Sequence, residues 1–197
     1  MSLHSDAVHN GEWCECPDFC FWKAPLSELD GKTLGIIGYG SIGQRVSNIA
    51  KAFGMKVLVN TLHPNPDKFK GVNFVDFDTL CKESDFITCH CPLTSKTEGI
   101  INKDAISKMK NSTVIINTSR GPVVNETDLA EALNSERIAG AGVDVLSVEP
   151  PRNDNPLLSA KNCIITPHIA WAAFETRERL LKILEENLKA FIEGLSL

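Results

Sequence analysis

Three polar residues stand just past apolar, strand-like runs: Arg120 in NTSRG, Glu149 in DVLSVEPP and His168 in ITPHIA. Their types suit proton transfer beside a bound carboxylate. A guanidinium presents a planar fork that matches a carboxylate. An imidazole exchanges a proton near neutral pH. A carboxylate next to it favours the imidazolium, and each pKa unit gained that way is about 1.4 kcal/mol. Each residue alone also has a plainer reading, as a surface arginine, a loop glutamate before two prolines and a turn histidine. A further feature lies upstream. GYGSIG places Gly38, Gly40 and Gly43 in the spacing G-x-G-x-x-G. The first glycine permits a tight turn, the second lets backbone approach a pyrophosphate, and the third lets helix and strand pack closely. The phosphates would sit on the amides of Ser41 and Ile42 at a helix N-terminus. Methyltransferases also use glycine-rich first loops, so this motif leaves the reaction open.

These residues need elements to hold them, and the hydrophobic pattern predicts those elements. KTLGIIG is an apolar run that enters the glycine turn as a buried strand. Residues 42 to 53 read as a helix, with Val46, Ile49, Ala50 and Phe53 on one apolar face. Short apolar runs follow at MKVLVN, DFITCH, STVIINTS, IAGAGVDV and NCIITPH, with helical patterns at 103–109 and 126–134 between them. The second of these helices starts at a capping region around Asn125 and Thr127. Strands alternating with helices predict an α/β fold, a doubly wound parallel sheet covered on both faces. Ligands bind such sheets at the carboxyl ends of the strands, so Arg120, Glu149 and His168 point toward one crevice. Residues 174 to 193 form a long amphipathic helix striped by Leu180, Leu184, Leu188 and Phe191, either docked on the core or meeting a partner.

Cofactor choice is less clearly written. The strand after the glycine helix is expected to end near an acid that holds the adenosine ribose. VLVNTLHP offers Asn60, Thr61 and His63 instead. No carboxylate repels a 2′-phosphate there and no arginine grips one. NAD is the expected cofactor and NADP stays open.

Composition narrows the class. The chain has 197 residues, 43% hydrophobic and 23% charged, which suits one domain or two small ones. Its net charge of -5 argues against nucleic-acid binding through bulk positive charge. No apolar run approaches the ~20 residues of a membrane span, so no membrane partner is expected. Seven cysteines, an odd number, suit reduced thiols in a cytoplasm. Cys14, Cys16 and Cys20 cluster, but a structural zinc needs four ligands and no second Cys/His pair follows, so no metal is expected. Cys81, Cys89, Cys91 and Cys163 read as small core residues. Trp13, Phe19, Phe21 and Trp22 crowd a Pro- and Cys-containing segment that either packs on the domain or reaches another subunit.

At this point the chain resembles a family. ELDGKTLGIIGYGSIGQRV, CHCPLT, IINTSRGPVVNE, AGVDVLSVEPP and ITPHIAW are similar, in order, to the D-isomer-specific 2-hydroxyacid dehydrogenases. HNGEW and HIAWA are most similar to their glycerate dehydrogenase/hydroxypyruvate reductase branch. The resemblance implies a Rossmann-type sheet, a nicotinamide cofactor and hydride transfer to a small 2-oxo acid such as hydroxypyruvate or glyoxylate. It implies that Arg120 holds the substrate carboxylate, that His168 is the general acid and that Glu149 keeps His168 oriented and protonated. It places Asp144 on the nicotinamide carboxamide. Tyr39, Cys91, Pro92, Thr97, Thr118, Ser119 and Ala170 are the further cofactor contacts it implies.

The resemblance also implies a division of the chain. Residues 1–30 would be a helix remnant and an aromatic arm, with 9–25 forming a homodimer contact. Residues 31–172 would be the nucleotide-binding domain. Residues 173–197 would be a helix that returns to a substrate domain. Family members carry a long stretch ahead of the glycine turn, and here 37 residues precede Gly38. The chain is therefore expected to be one domain of a two-domain enzyme and poorly active alone. The tail helix should then expose its apolar stripe. Two other classes remain: an NADH-sensing corepressor scaffold of the same superfamily, and a methyltransferase. The second leaves Arg120, Glu149 and His168 unexplained.

Overall fold

The computed structural model describes residues 2–195; the ends of the arm and of the tail, residues 1, 196 and 197, lie outside the described residues. After α1 (Ser2–His9) and the arm come β1 (Thr33–Ile37), α2 (Ser41–Ala52), β2 (Lys56–Asn60), β3 (Asn73–Phe74) and α3 (Phe77–Glu83). Then follow β4 (Phe86–Cys89), α4 (Lys103–Lys108), β5 (Val114–Asn117), α5 (Glu126–Asn134), β6 (Gly140–Val143), β7 (Cys163–Ile165) and α6 (Phe174–Ile192). The strands form one parallel sheet in the order β3-β2-β1-β4-β5-β6-β7. The chain leaves β1 in one direction and resumes beside it with β4, so a crevice opens between their carboxyl ends.

Register assigns each side chain to a face. Ile37, Cys89, Asn117 and Val143 are paired across four strands and share one face. That face carries α3, α4 and α5, and Leu80, Ile106, Leu129 and Leu133 bury against it. On the opposite face α2 covers only β1 and β2, through Leu34, Ile36, Ala50 and Val59. Ile36, Thr88, Ile116, Gly142 and Ile164 continue this face, and at its far end Ile164 is 72% exposed. The expected cover on both faces is thus complete on one side and partial on the other.

Helix α2 departs from expectation in the same sense. Gly43, Ser47 and Ala50 are its buried residues, whereas Ile49 and Phe53 are exposed. The small residues let the helix sit close to the sheet, and the larger apolar ones face outward. Helices α3, α4 and α5 each have an Asp or Asn cap: Asp76, Asn102 and Asn125 accept amides from Thr79, Ala105 and Asp128. Helix α2 has no side-chain cap.

The two ends pack little. In the arm, the Trp13 indole donates to the Phe19 carbonyl, Lys23 pairs with Glu12, and the Lys23 amide donates to His4. Phe19, Trp22 and Leu26 are exposed. Helix α6 buries no residue, and Leu180, Leu184 and Leu188 are each more than half exposed. No described helix is long and apolar enough to cross a membrane.

Candidate active site

The glycine turn connects β1 to α2 at the crevice. Gly38 has φ of 93°, and a Cβ there would lie 2.6 Å from the His90 carbonyl oxygen, so backbone and packing both demand glycine. A Cβ on Gly43 would collide with the Gly38 carbonyl. A Cβ on Gly40 would meet nothing within 4 Å. The second glycine therefore borders open space, as a ligand approaching the backbone requires. The first-turn amides of α2 lack intrahelical acceptors, no side chain caps them, and no acid lies in that turn. An anion such as a pyrophosphate fits this end of the helix by charge and by room.

Arg120 sits on the turn after β5. Its Nη1 donates to the Ser119 carbonyl at 2.7 Å, and the side chain is otherwise exposed. Glu149 and His168 come from the loops after β6 and β7. His168 Nδ1 lies 2.6 Å from Glu149 Oε2. The other oxygen, Oε1, accepts the Leu146 amide at 2.9 Å. The His168 contact and then the Leu146 amide hold the Glu149 carboxyl below its ordinary range. The loops after β6 and β7 thus deliver a hydrogen-bonded carboxylate–imidazole pair to the same edge as the arginine.

Asp144 builds the turn that carries His168. Its Oδ1 accepts the Thr166 hydroxyl at 2.5 Å and the Ile169 amide at 2.9 Å; its Oδ2 accepts the Ala170 amide at 2.8 Å. The Asp144 carbonyl accepts the His168 amide at 2.8 Å. His168 has φ of 53°, a left-handed conformation costing about 1–2 kcal/mol for an L-residue. The bonds to Asp144 offset that cost. Burial pushes the Asp144 carboxyl up, but the bonds from Thr166, Ala170 and Ile169, with nearby His168, bring it below its ordinary range. A carboxylate has about four acceptor positions, so three bonds leave room for one more donor.

Several expected cofactor contacts have other duties. The Tyr39 ring packs edge-on against Phe69 and Phe74. The Thr97 hydroxyl closes its own turn, donating to the Pro92 carbonyl at 2.6 Å and accepting the Thr94 amide at 2.8 Å. Asn60 donates its side-chain amide to the Val75 carbonyl at 3.0 Å. Cys91 is buried, which pushes its thiol up, while Pro92, Thr118 and His63 are exposed and Thr61 and Ser119 half-buried. The Ala170 amide is taken by Asp144. A cavity of about 620 Å³ opens beside Glu149 and His168, walled mainly by Leu146, Pro150, Pro151 and Leu158. Asn117 carries no expected role, although a polar residue ending an apolar strand was the signal available for it.

Topology and turn together define a dinucleotide-binding domain of the doubly wound type. More narrowly, the chain belongs to the D-isomer specific 2-hydroxyacid dehydrogenases, whose NAD binding domain matches residues 1–170. It is 54% identical over 192 residues to the hydroxypyruvate reductase of Blautia hydrogenotrophica, covering 97% of this chain and 60% of that protein. It is 40% identical over 193 residues to the glycerate dehydrogenase of Methylorubrum extorquens, again covering 97% and 60%. D-lactate dehydrogenase from Aquifex aeolicus, solved with NAD and lactic acid, superposes with a TM-score of 0.84 at 34% identity. That match covers 98% of this chain and 61% of the other. The chain spans about three fifths of the length of the curated relatives it matches.

Proposed function

We propose that this chain is the cofactor-binding and proton-donating part of an NAD(P)-dependent 2-hydroxyacid dehydrogenase acting on hydroxypyruvate/glycerate or glyoxylate/glycolate. The observation that carries this reading is the His168–Glu149 pair, 2.6 Å apart, at the carboxyl edge that also bears Arg120 and the glycine turn. The amides of Ser41 and Ile42 hold the pyrophosphate. The one acceptor position left on Asp144 takes the nicotinamide carboxamide, and Thr61 and His63 flank the adenosine ribose. Bound NADH supplies a hydride to C2 of the 2-oxo acid. Arg120 orients the substrate carboxylate. Glu149 holds Nδ1 of His168, and Nε2 delivers the proton to the carbonyl oxygen as it becomes a hydroxyl. The names of the curated relatives support this substrate class.

The rest of the division follows the same reading. Residues 31–172 are the nucleotide-binding domain, and α6 returns to a substrate domain, which accounts for its bare stripe. Residues 9–25 pair two copies. The free cysteines fit a reducing compartment, the cytoplasm.

Titration of the chain with NADH and NADPH by tryptophan quenching tests the cofactor site, with saturable NADH binding expected. In the enzyme extended to its relatives' length, His168→Ala should lower kcat roughly 10²–10⁴-fold. NADH affinity should stay within about twofold, because a general acid acts on the chemical step. An equal loss of NADH affinity contradicts the role.

A further inference from the structure

We propose that Asn117 is the positioning residue that aims Arg120 at the substrate carboxylate, a reading that rests on the role assigned to Arg120 above. Asn117 is the last residue of β5, 1% exposed, with apolar Cys89 and Val143 as its register partners. An amide in such surroundings costs free energy unless its bonds are made. All its side-chain bonds go forward, into the turn that bears the arginine. Nδ2 donates to the Arg120 carbonyl at 2.9 Å. Oδ1 accepts both the Ser119 amide at 3.0 Å and the Ser119 hydroxyl at 2.9 Å. Ser119 in turn offers its carbonyl to the Arg120 guanidinium at 2.7 Å. One side chain therefore fixes the backbone of Arg120 and also the peptide on which its guanidinium rests.

The backbone of Asn117 extends the link to the proton donor. Its carbonyl accepts the Asp144 amide at 2.9 Å, and the Asp144 carbonyl accepts the His168 amide at 2.8 Å. Neighbouring strand ends β5, β6 and β7 are joined into one frame. A substrate held by its carboxylate at Arg120 then presents its carbonyl oxygen at a set distance from His168. Asn117 touches neither substrate nor cofactor; it acts through Arg120.

Two measurements test this. In the chain as it stands, Asn117→Ala should speed hydrogen exchange at the Ser119 amide on the order of tenfold, the scale of one lost hydrogen bond. The amides of Ile115 and Ile116 within β5 should keep their rates. Unchanged exchange at Ser119 overturns the clamp. In the enzyme extended to its relatives' length, with glyoxylate and NADH, Asn117→Ala should raise KM about tenfold with a smaller fall in kcat. Arg120→Ala should have the larger effect, and adding Asn117→Ala to it should change nothing more, because both changes remove one interaction. Losses that multiply in the double variant overturn the proposal and leave Arg120's own role standing. An Arg120→Ala variant with unaltered KM overturns both. Asn117→Asp, which keeps the acceptor for Ser119 and loses the donor to Arg120, replaces Asn117→Ala if the latter does not fold, and should also raise KM.

Discussion

Asp144 shows how much a single side chain can carry. Its carboxylate gathers the Thr166 hydroxyl and the amides of Ile169 and Ala170 into the turn around His168. Its carboxyl and that of Glu149 both lie below their ordinary ranges. A carboxylate depressed on folding contributes stability that is present above its unfolded pKa. That contribution is lost as pH falls through the folded value. The melting temperature should therefore hold from pH 7 to about 5 and fall below about pH 4. Asp144→Asn should cost about 2 kcal/mol at pH 7, since it removes charge-assisted acceptance, and should flatten the acid slope. A thermal melt series against pH checks both, and an unchanged acid slope in the variant assigns the acid sensitivity elsewhere. The strand-end positions of Arg120, Glu149 and His168 were legible because polar residues interrupt apolar runs. The anchoring role of Asp144 was not, because its partners lie 22 to 26 residues away.

Elements with a full apolar period were legible nearly to the residue. The pattern predicts helices at 42–53, 103–109, 126–134 and 174–193, and the structure has them at 41–52, 103–108, 126–134 and 174–192. Helix α3 and the two-residue β3 carry too few turns or alternations to stand out. They form because tertiary packing and the Asp76 cap supply what local propensity does not. The caps separate the helices into two kinds. Side chains close the first turns of α3, α4 and α5, whereas α2 and α6 have no side-chain cap, and of these two only α2 starts at the glycine turn. Asn125→Ala should destabilise the fold by about 1 kcal/mol, as a lost cap does, visible as a lower urea midpoint at unchanged slope. NADH binding should not change, since α5 lies on the face away from the glycine turn's helix. A matching fall in NADH affinity would show that the two faces are coupled.

Across the whole molecule, the exposed apolar surface is concentrated where the chain lacks layers. Ile164 on the open sheet face, Ile49 and Phe53 on α2, Leu180 and Leu184 on α6, and Phe19 and Trp22 on the arm are all exposed. Clustered apolar exposure of this kind marks surfaces that meet other chains or domains. For the arm, the proposed pairing of two copies gives a direct expectation. Phe19→Ser with Trp22→Ser should shift sedimentation toward the monomer, because aromatic anchors dominate interface energy. Cofactor affinity should persist. A dimer that survives both changes places the contact on another of these surfaces.

The chain's own pattern settled the alternation of strands and helices, the glycine turn, and the family to which it belongs. The first two rest on local spacing and the third on motifs that resemble the family's in order, and both are written along the chain. Tertiary structure settled which face each residue occupies, which helix faces stay exposed, and how the turns bearing Arg120 and His168 are tied together. The Asn117 side chain bonds only as far as Arg120, whereas its carbonyl reaches the Asp144 amide because β6 lies beside β5. Asp144 reaches the His168 turn only because β7 lies beside β6. Parallel neighbours are joined by long crossovers, so the contacts that set a site at their ends join residues far apart in sequence.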